Sequence, residues 1–112
     1  MLFRSIPEIT PLELKSRLER NDAIVLVDVR ELHEKAIADL PEVGQLRIPL
    51  RELPHRAAEL DPAEELILYC RSGARSGRAT LMLRGAGYGR VFNLKGGLLR
   101  WREEVDPSVR AY

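Results

Sequence analysis

Cysteine is almost missing from this sequence: Cys70 is the only one in 112 residues. One thiol cannot close an intrachain disulfide, cannot be resolved through a Cys-x-x-Cys pair, and cannot build a structural zinc site from several thiolates. Long apolar runs are missing too. The longest are Ala23 to Val27 and Leu66 to Cys70, each bounded by charged residues, far short of the ~20 apolar residues a membrane span needs. The opening MLFRSIPEIT has neither the long apolar segment nor the small-residue cleavage site of a signal peptide. A cytoplasmic protein with a free thiol and no membrane partner is therefore expected. Neither sign of charge prevails, since 18 Lys and Arg against 17 Asp and Glu leave +1. No global field draws the chain to nucleic acid or an anionic surface. Aromatics, at 5 %, do not interleave with Arg78, Arg84 and Arg90 as in a nucleic-acid reader. His33 and His55 lack the company of a general base or metal ligand and are expected at the surface.

What is present fits a folded domain. Apolar residues make up 45 % and charged residues 31 %, which excludes wholesale disorder. A chain of this length forms one domain, 1–112, and buries about two-thirds of its unfolded surface. Ile24 to Val29 and Leu66 to Cys70 are apolar on both alternating faces, as in parallel strands covered on both sides. Arg90 to Leu94 and Gln45 to Ile48 are further strand candidates. Between them lie helical patterns. Thr10-Pro11-Leu12-Glu13 reads as a capping box with proline in the first turn, and Asn21 closes that segment. Ser76 to Ala86 is a second helix, ended by Gly85 and Gly87; Glu31 to Asp39, Leu53 to Leu60 and Leu98 to Val105 are shorter ones. Strands alternating with helices predict an α/β domain with a mainly parallel sheet, flanked by helices on both faces.

In such sheets the ligand site lies beyond the carboxyl ends of the strands. Asp28-Val29-Arg30 ends one strand there. Cys70 ends another, and Arg71-Ser72-Gly73-Ala74-Arg75-Ser76 leads from it into a helix. Loop amides and the first N–H groups of that helix can converge on the sulfur, and the flanking arginines favour negative charge beside it. All three effects stabilise a thiolate. Gly73 allows a tight cradle, and Ser72 and Ser76 offer hydroxyls to a bound sulfur or the helix cap. An inert core thiol has no use for two arginines and a glycine within five residues. Asp28 and Arg30 read as a strand-end salt bridge that steadies this loop, and Trp101 as core.

The string CRSGARS after an apolar strand resembles the active-site loop of rhodanese-type sulfurtransferases. VLVDVRELHE resembles that family's strand with its Asp-x-Arg and trailing Glu, RIPLREL its Ile-Pro segment, and NLKGGLLRW its Gly-Gly element before the last helix. The likeness runs from about Ile9 to Trp101. AIADLPEVGQLRIP departs from the family's Gly-His-Ile and Gly-Ala pattern, so the connection 36–47 is expected to be shaped differently. The resemblance implies a rhodanese-like fold. It also implies Cys70 as a nucleophile that carries a persulfide, and Arg71, Ser72, Gly73, Ala74 and Arg75 as the cradle that binds the substrate. Asp28, Arg30 and Ser76 would support the loop. The implied substrate is a small anionic sulfur donor such as thiosulfate. The NLKGGLLRWREEVDPSVRAY ending also resembles rhodanese domains fused to enzymes that adenylate sulfur carriers, so a sulfur-carrier or thiol protein is an implied acceptor. No metal or organic cofactor is implied.

Two rivals share these residues. Cysteine phosphatases and arsenate reductases wrap an oxyanion in a Cys-x5-Arg loop, whereas the spacing here is Cys-x4-Arg with Ser76 in the place the longer loop needs. A non-catalytic rhodanese-like binding module is the other, but such modules typically lack the cysteine. Gly85-Ala86-Gly87-Tyr88-Gly89 superficially matches a dinucleotide loop but follows a helix and precedes a strand, the reverse of that fingerprint.

Overall fold

The computed structural model describes residues 5–112; the first four residues of MLFRSIPEIT lie outside them. The described chain runs β1 (Glu8–Ile9), α1 (Pro11–Glu19), β2 (Ile24–Asp28), a 3₁₀ segment (Leu32–Ala36), and β3 (Leu46–Arg47). It continues with a 3₁₀ turn (Leu50–Glu52), α2 (Leu53–Arg56), a second 3₁₀ turn (Ala57–Glu59), β4 (Glu65–Tyr69), α3 (Ala74–Gly85), β5 (Val91–Leu94) and α4 (Gly97–Glu104). The five strands form one sheet in the order β1-β5-β4-β2-β3, and every neighbouring pair is parallel.

Alternation along β4 divides the core. Leu66, Leu68 and Cys70 pack with Leu53, Leu60, Ala79 and Leu83, from the α2 and α3 side. Ile67 and Tyr69 pack with Leu14, Leu98 and Trp101, from α1 and α4. Helices therefore cover both faces, as the doubly apolar strands require. Leu66, Ile67 and Leu68 are each at most 1 % exposed, and each contributes about 1.5–3 kcal/mol by burial. The same alternation puts the Cys70 side chain on the α3 face and the Tyr69 ring on the other.

The Thr10 capping box forms: Thr10 Oγ1 accepts from the Glu13 amide at 3.2 Å, and the Glu13 carboxylate accepts from the Thr10 amide at 2.9 Å. Asn21 closes the segment with a φ of 55°. The helix expected over Glu31 to Asp39 is a 3₁₀ segment, Leu32–Ala36. Arg30 Nη1 donates to the Ala38 carbonyl at 2.7 Å and, at 3.3 Å, to the Glu34 carbonyl, which also accepts from the Ile37 and Ala38 amides at 3.0 and 3.2 Å. The helix expected over Leu53 to Leu60 is one α turn, Leu53–Arg56, followed by 3₁₀, with the Tyr88 hydroxyl donating to the Ala57 carbonyl at 2.7 Å. The strand expected over Gln45 to Ile48 shrinks to Leu46–Arg47, and the Gln45 side chain donates from Nε2 to Pro41 O and Tyr69 Oη. In the divergent connection before it, the Asp39 carboxylate ties Arg30, Arg47 and the Tyr69 hydroxyl together. β1 had no sequence signal: two residues carry no periodicity, yet they pair with Asn93 and Leu94 at the sheet edge. Gly85 to Gly89 is a helix stop and turn, with Gly87 at a φ of +99°. Among the described residues, no helix is long and apolar enough to cross a membrane.

Candidate active site

Cys70 follows the carboxyl end of β4 and is fully buried. Its Sγ accepts from the Gly73 amide at 3.1 Å and the Ser76 amide at 3.4 Å, and Ser76 Oγ lies 3.3 Å away. These donors converge because the loop's carbonyls face elsewhere. The first turn of α4 takes two of them: the Leu98 amide donates to Cys70 O and the Leu99 amide to Arg71 O, both at 3.0 Å. Gly73 O accepts from the Gly77 amide at 2.9 Å and from Asn93 Nδ2 at 3.2 Å. With the oxygens turned outward, N–H groups are left to face the sulfur, a nest for an anion.

Two glycines make the approach of α4 possible. Gly96 and Gly97 have φ of +75° and +60°, where side chains are strained. A Cβ on Gly97 would sit 2.5 Å from both Cys70 O and Arg71 O. The Gly-Gly element thus serves to let a helix N-terminus touch the back of the loop. Gly73, at a φ of +93°, turns the chain into α3, which begins at Ala74, two residues before the predicted start.

Ser76 is held by a residue that sequence reasoning missed. Its hydroxyl donates to Asn93 Oδ1 at 2.5 Å. The Asn93 amide is oriented by its other partners: Gly73 O and Glu8 Oε2, both 3.2 Å away, are acceptors, so the NH₂ faces them. A hydroxyl has one proton. While Asn93 holds it, Ser76 Oγ presents lone pairs to a thiol; rotated, it can donate to a thiolate.

The two loop arginines have different surroundings. Arg75 donates through Nη1 and Nη2 to the Glu34 carboxylate at 2.7 and 2.9 Å. Glu34 is buried and also accepts from the Glu31 amide at 2.9 Å and the Tyr112 hydroxyl at 3.0 Å. The Arg75 guanidinium, against the cost of burial, pulls the Glu34 carboxyl down to about 2. Arg71 donates from Nε to the main-chain oxygen of Tyr112, and its guanidinium lies over the Tyr112 ring, 5.4 Å from the centroid. Ser72 and Ala74 are exposed at the loop's outer edge.

Asp28 and Arg30 form the strand-end network read from the sequence. Arg30 is 1 % exposed. Asp28 Oδ1 accepts from the Arg30 amide and Nε at 3.0 and 2.9 Å, and Oδ2 accepts from Arg30 Nη2 at 3.0 Å and Arg47 Nη1 at 2.7 Å. Burial is the largest single effect and opposes the charge, but hydrogen bonds and charge from Asp28 and Tyr112 together outweigh it and hold the Arg30 guanidinium above its usual range. The network reaches the loop through Tyr112, whose hydroxyl accepts from Arg30 Nη1 at 2.9 Å. Glu34 ends the VLVDVRELHE string and was legible there; nothing in the sequence pointed to Asn93 or Tyr112. His33 and His55 are exposed, and Trp101 is core. Among the described residues, no group of three or more His, Cys, Asp or Glu side chains is placed to hold a metal.

Known proteins resemble this chain over most of its length. A sulfurtransferase of Allochromatium vinosum is 38 % identical over 93 % of this chain and 95 % of its own. A putative sulfur carrier protein of Bacillus subtilis is 35 % identical over 91 % of this chain, which spans 54 % of that protein. The crystal structure of a rhodanese-related protein from Thermoplasma volcanium superimposes with a TM-score of 0.79 at 25 % identity, covering 95 % of this chain and 99 % of the other. The rhodanese-like domain model matches residues 10–104, from the cap of α1 to the last residue of α4 and across the whole cysteine loop, and the chain therefore belongs to the rhodanese-like domain family.

Proposed function

We propose that this protein is a sulfurtransferase acting through a Cys70 persulfide, carried by one domain over 1–112. The observation that supports it most is the convergence of the Gly73 and Ser76 amides on Sγ in a six-residue loop, Arg71 to Ser76. The Cys70 thiolate attacks the outer sulfur of thiosulfate. The new Cys70 S–S bond forms as the donor's S–S bond breaks, and sulfite leaves with that electron pair. Cys70 then holds an anionic persulfide. A thiophilic acceptor attacks the terminal sulfur and the thiolate departs, as in other covalent double displacements. Loop amides stabilise the persulfide anion, and the basic edge of the loop orients the donor's sulfonate. The kinship with a putative sulfur carrier protein supports a sulfur-carrier or thiol protein as a physiological acceptor.

Intact-mass measurement after thiosulfate treatment tests the reading. Wild type is expected to gain one sulfur atom, which cyanide removes as thiocyanate. Cys70→Ser is expected to gain none and to form no thiocyanate. A Cys70→Ser protein with full activity would overturn the persulfide assignment, since no other thiol is present. Turnover of an aryl phosphate or of arsenate is expected to be negligible. Robust Cys70-dependent phosphatase activity would favour the oxyanion enzymes instead.

A further inference from the structure

The strand-end network and the cysteine loop meet at a residue that belongs to neither. Tyr112 contributes four contacts. Its hydroxyl bridges two buried groups, accepting from Arg30 Nη1 and donating to Glu34 Oε1. Its ring lies under the Arg71 guanidinium. Its main-chain oxygen takes the Arg71 Nε–H. The hydroxyl's two anchors orient the ring, and the ring in turn limits where Arg71 can go.

A guanidinium has five N–H donors. Arg75 has both Nη atoms on Glu34, so its charge is matched by a carboxylate. Arg71 has given up only Nε; among the described residues, Nη1 and Nη2 make no hydrogen bond. Of the loop's two arginines, Arg71 is thus the one whose paired Nη donors stay free among the described residues. An unrestrained arginine loses rotamer freedom when it binds an anion; one already stacked and hydrogen-bonded loses less.

We propose that Tyr112 is a positioning residue of this site, holding Arg71 so that its free Nη groups receive the anionic end of a sulfur donor while Arg75 stays committed to Glu34. This rests on the sulfur-transfer reading and assigns donor charge recognition within it.

The test uses two reagents that alkylate with the same carbon and differ in charge. Cys70, reduced and freed of persulfide, is treated with iodoacetate and with iodoacetamide at one pH, and the ratio of the two rates is taken. General changes in thiol reactivity or access cancel in that ratio. Tyr112→Ala is expected to lower it about fivefold, on the scale of a lost cation–aromatic contact. Arg71→Ala should lower it at least as much, and the double variant no further. If Tyr112→Ala does not fold, Tyr112→Leu, which keeps apolar packing, takes its place with the same expectation. KM for thiosulfate should rise about fivefold in the folded variant, with kcat changed less than twofold. A ratio within about 1.5-fold of wild type, or multiplicative losses in the double variant, overturns the assignment to Tyr112. Wild type without Cys70-dependent thiocyanate formation would instead sink the sulfur-transfer reading, and the alkylation ratio would still report whether Tyr112 steers anions through Arg71.

Discussion

Glu34→Gln should remove an acid-sensitive share of the protein's stability. The carboxylate collects four donors, namely both Arg75 Nη groups, the Tyr112 hydroxyl and the Glu31 amide. Its value falls from 4.5 to about 2, chiefly through Arg75. At ~1.4 kcal/mol per pH unit, that displacement corresponds to at most about 3 kcal/mol. The Arg75 side chain is 33 % exposed, and solvent screening there brings the figure to about 2 kcal/mol. Because the folded-state value lies below the unfolded one, the contribution is complete above about pH 4.5 and disappears as the pH falls toward 2. By about pH 3 more than half should be gone. Urea unfolding of wild type and Glu34→Gln at several pH values between 6 and 3 would measure it. Other paired carboxylates, such as Glu65 with Arg17, titrate in both proteins and cancel in the difference. The difference in unfolding free energy should shrink by about 1 kcal/mol or more across that range. Parallel stability curves would refute the reasoning, and would mean that Arg75 leaves Glu34 for solvent.

Other perturbations reach the site from different sides. Gly97→Ala places a Cβ 2.5 Å from Cys70 O and Arg71 O at a φ of +60°; thermal melting should show a loss of about 2–4 kcal/mol, and unchanged stability would mean that the approach of α4 is not tight. Asn93→Ala frees the Ser76 hydroxyl and removes one partner from Gly73 O; sulfur loading of Cys70 from thiosulfate should slow about tenfold, with wild-type loading as the contrary result. Leu68→Ala empties a fully buried position in the α3-side core and should cost about 2–5 kcal/mol by chemical denaturation; a loss under about 1 kcal/mol would show that the core collapses around the gap.

The sequence alone determined the layers and the place of the chemistry. Strands that are apolar on both faces need cover on both faces, and a cysteine between such a strand and a helix must stand at the carboxyl edge of the sheet. These are local facts of periodicity and adjacency, so β2, β4, α1, α3 and the Cys70 loop were legible, as was the Asp28–Arg30 pairing over two residues. Tertiary structure decided what approaches that loop from a distance. Asn93 lies 17 residues from Ser76, Glu34 lies 41 from Arg75, and Tyr112 lies 82 from Arg30; no pattern within the chain links such pairs, because only the stacking of β5, β4 and β2 brings their ends together. Arg30 shows both sides at once: the Glu34 and Ala38 carbonyls that take its Nη1 lie only four and eight residues on, but it is the packed fold that buries the guanidinium, and a buried charge must have partners.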